Sequence, residues 1–365
     1  MSVSVCHVVN TFNAGSPAAD LSQALLKDTQ IDTIGVLAWF EHNHVEALDT
    51  VDVHHLNPNR RFFPSRETLN EAKTFLQRYD IVQTYNPHSA FFSKLLARKN
   101  RQAIISREGN DHSSFTRKGR LSNGVTNVFA DRVVCVSESV RDSFMGWENL
   151  LLRDNQVKVI YNGVDIESVI QANNLDWSIL DEYPIGTDSV VVGHAARFVP
   201  QKAQDVLIRA LARANRESNQ KLELVLAGNG PLRQDLERIA VSEGMSENVH
   251  FLGMLDRPYV YKMMHDSDIY AMPSRWEGFC MAVLQAMAAS TPCVLTDIPS
   301  FEPFEDVAVF VEKDDVNALA DVIIELASSE PRRYEFGERG QGLVEAKYSI
   351  TKTAREYAEL YEEIL

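Results

Sequence analysis

The chain repeats one pattern along its whole length: a short β-branched run, a loop with Gly, Asn or Ser, then an amphipathic helix. Seven strands are predicted in the first half, over 3–9, 33–38, 51–54, 81–84, 103–106, 132–136 and 158–161. Six follow, over 190–195, 222–227, 249–252, 269–272, 292–296 and 307–311. Strands that alternate with helices build βαβ units and parallel sheets. Thirteen strands exceed what one open sheet usually holds, so the pattern predicts an α/β chain of two doubly wound, Rossmann-like domains. The first should span 1–168. Residues 169–189 contain no strand and end in Pro, Gly, Thr, Asp and Ser, which reads as a linker. The second domain should span 190–349. A last helix over 350–365, with Ala354, Tyr357, Leu360, Tyr361 and Ile364 on one face, should pack back on the first domain.

The formal net charge of −15 argues against a general nucleic-acid binder. Cys6, Cys135, Cys280 and Cys293 form no C-x-x-C pair and read as reduced core residues. The first ten residues carry no basic segment before an apolar run, so no signal peptide is expected and the protein is placed in the cytoplasm.

Between Glu277 and Asp297 lie nineteen residues without formal charge. Ser290-Thr291-Pro292 interrupts this run, which argues against a membrane span. The better reading is a buried helix over about 279–289 followed by a strand. Gln285 would then lie in the core, where its amide needs partners. Glu277 precedes the helix, whose first N–H groups are free, so carboxylate, donors and amide gather near one helix start.

Ligands of doubly wound sheets bind at the carboxyl ends of the strands. After the strand at 190–195, Arg197 and Lys202 flank a helix start, where two cations suit a diphosphate. A solvated surface pair would look the same. After 222–227, Gly228 and Gly230 suit close backbone approach or a plain tight turn. After 249–252, the turn Gly253-Met254-Leu255 could read the edge of a base. After 269–272 comes the stretch that opens with Glu277.

Four such loops in order resemble a known family. The pieces ARFVPQKAQDVLIRAL, LVLAGNGPLR, VHFLGML, SDIYAMPSRWEGFCMAVLQAMAASTPCVLTD and DVAVFVEKDDVNALADVI are similar to the retaining family-4 glycosyltransferases of the GT-B fold, the glycosyl transferases group 1. ADRVVCVSESV and VKVIYNGVD extend the resemblance into the first half. The resemblance implies two domains facing a cleft and transfer of a sugar from a nucleoside-diphosphate sugar to a hydroxyl acceptor, with retention. The acceptor would be a glycan, a lipid-linked group or a small molecule. The family hallmark is E-x7-E. Glu277 keeps its first acid, which approaches the donor sugar, and Gln285 stands at the second, which holds the ribose. Cys280 and Ser290 stand where small glycines are usual.

Carried over residue by residue, Glu277, Arg197 and Lys202 are the catalytic candidates. Gly228, Gly230, Met254, Leu255, Phe279, Cys280, Met281, Ala282 and Gln285 are the donor-binding ones. No metal or other cofactor is expected, because the one D-x-D, Asp266 to Asp268, precedes its strand at the amino end.

The first domain should hold the acceptor. Gly15 and Ser16 follow its first strand, and His88 follows another. Glu108 stands where relatives commonly carry His, and could take a proton from the acceptor or bind its hydroxyl. Arg60, Arg61 and Arg66, and then Arg117, Lys118 and Arg120, make two basic segments in an acidic chain. They would suit peripheral contact with anionic lipid at the inner face of the membrane, at about 1 kcal/mol per basic residue, or an ordinary solvated loop.

A dehydrogenase would need G-x-G-x-x-G after a strand, and GNGPLR offers only its first two glycines. An inactive partner subunit, suggested by Gln285, and a nucleotide-sugar epimerase of the same fold remain as alternatives.

Overall fold

The computed structural model describes residues 3–13, 15–40, 50–57, 64–112, 115–153 and 155–365. The chain divides into two compact units, Met1–Gly163 with Ile350–Leu365, and Val164–Ser349.

The first unit contains β1 (Val3–Val9), β2 (Ile31–Ala38), β3 (Asp52–His55), β4 (Ile81–Thr84), β5 (Ala103–Glu108), β6 (Arg132–Cys135) and β7 (Val157–Val159). The second contains β8 (Val190–Ala195), β9 (Leu222–Ala227), β10 (Val249–Gly253), β11 (Ile269–Met272), β12 (Cys293–Thr296) and β13 (Val309–Val311). The pairings are parallel, in the orders β3-β2-β1-β4-β5-β6-β7 and β10-β9-β8-β11-β12-β13. Such strands are covered on both faces, which explains their near-continuous apolar sequences. In each sheet the chain runs outward from a central strand and then returns beside it. The reversal falls between β1 and β4 in one sheet and between β8 and β11 in the other. Ligands of this fold bind outside the carboxyl ends at such a point.

Val192, Leu224, Leu226, Ile269 and Val294 meet Leu207 and Leu211 of the helix Gln204–Glu217 in the second core. Val5, Val36, Ile81 and Ile105 meet Leu25 in the first. Tyr357, Leu360 and Tyr361 of the last helix, Ile350–Ile364, complete that core. All four cysteines are free and buried.

The linker expected over 169–189 is instead packed into the second unit. Val169 and Ala172 of the helix Ile166–Ala172 are buried, and His265 Nε2 lies 2.9 Å from the Val169 carbonyl. Asp266 accepts from Ser178 Oγ at 2.9 Å and from the Ile179 N–H at 3.2 Å. The segment lacks strands because it is a covering layer. The chain enters and leaves this unit side by side, through a parallel bridge between Val164 and Ser349.

Candidate active site

The loops that leave β8 and β11 converge on one carboxylate. Lys202 closes a short 3-10 turn, Pro200–Lys202, and Ala203 then takes φ 51° before the helix Gln204–Glu217 starts. A left-handed non-glycine residue costs about 1–2 kcal/mol, and the turn it makes brings Lys202 back across the sheet end. Lys202 Nζ donates to Glu277 Oε1 at 2.6 Å. Ser274 Oγ donates to the same oxygen at 2.7 Å. Gln201 Nε2 reaches Glu277 Oε2 at 3.3 Å, which leaves that oxygen with acceptor capacity to spare. Glu277 is 8% exposed, so the pair is shielded from water.

Burial works against the charge of Lys202, while Cys280 and then Glu277 support it, and its pKa ends above that of an ordinary lysine. Burial also pushes the Cys280 thiol up to about 11 against the pull of Lys202. A thiol at that value is neutral near pH 7. Both loops are stapled from outside. Arg275 pairs with Asp205 at 3.2 Å and Asp314 at 2.7 Å, and its N–H donates to the Gln201 carbonyl at 2.8 Å. Beneath them, burial lowers His194 to about 4. The neutral ring donates from Nδ1 to the Ala271 carbonyl at 2.8 Å and accepts at Nε2 from Gln204 at 3.1 Å. Gln204 also donates to the Arg197 carbonyl at 3.1 Å, which fixes the loop after β8.

Arg197 itself is exposed and makes no ion pair among the described residues. Gly228 and Gly230 serve loop packing: a Cβ would fall 2.0 Å from the Ala196 carbonyl at Gly228 and 2.4 Å from the Phe198 carbonyl at Gly230. Met254 is 77% exposed and Leu255 half-buried, after Gly253 at φ 73°. Phe279 packs on Phe304 and Tyr348 at centroid distances of 6.3 and 5.7 Å, an aromatic cluster of its own unit. Cys280 N-caps the helix Met281–Ala288. Its sulfur turns toward Lys202 Nζ, 3.9 Å away.

Gln285 is not the core residue expected from an apolar helix. Val283, Leu284, Ala286, Met287 and Ala288 are buried, but Met281, Ala282 and Gln285 keep a half-open stripe. The Gln285 amide donates to Tyr261 Oη at a long 3.4 Å. Ser290 follows at φ 58°, the left-handed ending for which glycine is the low-cost residue.

Asp266 and Asp268 are occupied structurally. Asp266 pairs with Lys262, and Asp268 accepts from the Val191 N–H at 2.9 Å and pairs with Arg333 at 3.3 Å. No group of three potential metal ligands occurs among the described residues.

In the first unit, Gly15 is exposed and Ser16 N-caps the helix Pro17–Asp28. His88 stacks on Phe40 at 5.4 Å. Glu108 does not fit the proton-acceptor role expected of it. It is 3% exposed and already accepts from Ser106 at 2.9 Å, Asn127 at 2.9 Å and Asn123 at 2.7 Å. His112 bridges it at 3.2 Å to Glu148 at 2.9 Å. Burial alone would raise its pKa, but His112, Lys94 and Asn127 take it down to about 2. Lys94, fully buried, donates to Asn127 Oδ1.

Arg60 and Arg61 lie outside the described residues. Arg66 is exposed at a helix start. Arg117 and Lys118 are exposed on the helix Arg117–Asn127, but Arg120 is held by the His112 carbonyl at 2.8 Å.

Residues 176–342 match the family described as glycosyl transferases group 1, and residues 24–168 match glycosyltransferase family 4. The chain belongs to the family-4 glycosyltransferases. Among curated members, it is 25% identical over 238 residues to the O-antigen biosynthesis glycosyltransferase WclY of Escherichia coli, covering 65% of this chain and 63% of that one. It is 32% identical over 200 residues to the GDP-mannose-dependent monoacylated alpha-(1-6)-phosphatidylinositol monomannoside mannosyltransferase of Corynebacterium glutamicum, covering 52% and 51%. The chain thus spans less than two thirds of the length of these relatives. The fold matches HepE of Anabaena, solved in complex with UDP and glucose, with a TM-score of 0.83 at 18% identity over 99% of this chain and 100% of that one. In this family-4 chain the loops after β8 and β11 thus bring Lys202, Glu277 and Cys280 together. Ser274 and Gln201, which sequence reasoning missed, complete the set.

Proposed function

We propose that the chain is a retaining glycosyltransferase that moves a hexose from a nucleoside-diphosphate sugar to a hydroxyl acceptor, without a metal. The observation that carries this reading is the buried Lys202–Glu277 pair, 2.6 Å long, at the reversal point of a doubly wound sheet. The bond between the anomeric carbon and the diphosphate breaks, and the diphosphate leaves with the electron pair. Lys202, Arg197 and the start of the helix Met281–Ala288 stabilise its charge. The acceptor oxygen bonds the anomeric carbon, and its proton passes to a phosphate oxygen. Glu277 holds the sugar hydroxyls through Oε2, the oxygen with one long protein contact. Two names support the donor class: a GDP-mannose-dependent relative and a structural neighbour solved with UDP. The O-antigen and phosphatidylinositol monomannoside names support glycan or glycolipid assembly. Turnover of a panel of nucleoside-diphosphate sugars in excess EDTA tests the reading. Turnover is expected to persist; loss in chelator with rescue by manganese would overturn its metal-free part.

Gln285 bears on the alternative of an inactive partner subunit. Its accessible amide can hold a ribose as the family's acid does, though with weaker bonds. Gln285→Glu should keep or tighten donor binding. Gln285→Ala should raise the donor KM more than it lowers kcat, since ribose contacts exist before and during transfer. A Gln285→Ala variant with unchanged KM and a lower Tm would make the residue a packing amide.

The protein is assigned to the cytoplasm, where its four free cysteines stay reduced, with peripheral contact to anionic lipid. Leu121, Val125 and Val128 are 59%, 43% and 43% exposed, and Arg117 and Lys118 flank them on the same helix face. Full chain should sediment with phosphatidylglycerol vesicles and less with phosphatidylcholine. Leu121→Asp should abolish that, and equal sedimentation of the variant would remove this surface.

A further inference from the structure

Glu108 and Arg107 are neighbours on β5 and face opposite sides of the sheet. Glu108 has a full set of donors, but Arg107 is 7% exposed and forms no ion pair with any described residue. Its guanidinium lies over the Tyr85 ring, 4.9 Å from the centroid, and Nη2 donates to Asn162 Oδ1. Nη1 reaches toward Gly109, where an added Cβ would stand 3.3 Å from it. These neighbours place the cation at the carboxyl end of the first sheet. Tyr85 follows β4, one of the two strands at its reversal point, Gly109 follows β5 and Asn162 follows β7.

The surrounding groups are neutral. Tyr361 Oη donates to Gln83 Oε1 at 2.7 Å, and Gln83 Nε2 donates to Tyr85 Oη at 2.9 Å. The Tyr85 hydroxyl and Ser22 Oγ each lie 3.2 Å from His7 Nδ1, and Ser22 donates its own proton to the Ala18 carbonyl at 2.7 Å. Burial, with the charge of Arg107 adding to it, lowers His7 to about 3. His7 Nε2 is buried with no hydrogen bond, and the buried Tyr357 hydroxyl lies against the Arg107 guanidinium. The cluster thus holds one buried cation without a carboxylate and one orphan polar atom, His7 Nε2. A guanidinium taken out of water without a carboxylate is unfavourable unless an anion meets it. Its planar fork matches a carboxylate or a phosphate through paired N–H groups.

We propose that Arg107 is an anion subsite of the first unit, and that the glycosyl acceptor carries a carboxylate or a phosphate. The acceptor part rests on the glycosyl-transfer reading above; the anion site does not.

The test uses three small alcohols that differ in charge: glycerol, glycerate and glycerol 3-phosphate. Their binding to the full chain is measured by calorimetry without nucleotide, and UDP binding is measured separately. Both anions should bind at least tenfold more tightly than glycerol, and the better of the two names the class. Arg107→Gln should remove that preference and leave UDP affinity within twofold of wild type. Arg107→Lys should keep a weakened preference, since it retains charge but loses the fork, and it decides the matter if the glutamine variant does not fold. Arg107→Met should not lower Tm, because it removes an unpaired buried charge, whereas a purely structural arginine would be missed. Equal binding of glycerol and the anions to the wild type, or an unchanged preference in Arg107→Lys and Arg107→Gln, overturns the proposal. Failure to bind any nucleoside diphosphate would count against the transferase reading alone.

Discussion

Lys202→Ala is expected to lower kcat/KM for the donor by about 10²–10³-fold, the usual effect of removing one fixed group that stabilises charge in a transition state, about 2.7–4 kcal/mol. Two mechanisms act together. The leaving diphosphate loses a buried ammonium, and Glu277 is left with Ser274 and Gln201 alone at 8% exposure. A carboxylate stranded in that way lowers Tm as well as turnover. Glu277→Gln keeps the side chain's size and the Lys202 cation but leaves that cation without its carboxylate, and it should lower kcat with little change in UDP affinity, because its partner is the sugar. Steady-state kinetics and UDP calorimetry on both variants check this. Lys202→Ala with wild-type kinetics would remove the site from the mechanism. The charge on Lys202 also sets an alkaline limit. Its pKa is raised in the fold, so its contribution to stability is full below the ordinary lysine value of 10.5 and fades as pH rises past the folded value.

Glu108→Ala is expected to destabilise the first unit by about 3–5 kcal/mol, as removing one partner of a buried ionic network does. Lys94 and His112, both 0% exposed, would lose the carboxylate between them. The effect should depend on pH in a defined sense. A carboxyl depressed to about 2 gives stability that is present above its ordinary value of 4.5 and lost as pH falls toward 2. His112 is raised despite its burial, through Glu108 and Glu148, so its contribution is full below 6.5 and fades as pH rises through the folded value. The difference between wild type and Glu108→Ala should therefore be large between about pH 5 and 6 and shrink below pH 4. Urea midpoints at pH 5.5 and pH 3, followed through Trp39 and Trp147 of the first unit, measure it. A difference that stays constant down to pH 3 would mean the lost interaction is packing, not charge.

The thirteen strands were legible because each is an apolar run bounded by loop residues, the signature of a strand covered on both faces. Three features were not. Residues 169–189 look like a linker because they contain no strand, yet Val169 and Ala172 are enough to bury the helix Ile166–Ala172. Gln285 looks like a core residue because an apolar helix gives no sign of which side is covered. Its small neighbour Ala282 leaves the stripe half-open where a larger residue would also read as apolar. The partners of Glu277 and Glu108 lie beyond any local pattern. Gln201 and Lys202 stand 75 or more positions from Glu277, and Lys94, Glu148 and the pair Asn123 and Asn127 surround the Glu108–His112 pair from three helices. A carboxylate in a family motif position reads as chemistry; its saturation by donors is visible only in three dimensions.

The first unit is discontinuous along the chain: β7 ends at Val159, and the helix that completes the core begins at Ile350. At about 5–20 residues per second, a ribosome makes the last helix roughly 10–40 seconds after the sheet it covers. During that interval the surface meant for Tyr357, Leu360 and Tyr361 stays open, while the second unit, contiguous from Val164 to Ser349, has everything it needs to close. The unit made first is then the last to be completed, and its uncovered apolar surface is exposed to aggregation in the interval. A stop codon near residue 350 would harm the amino-terminal unit and spare the one that contains Lys202 and Glu277.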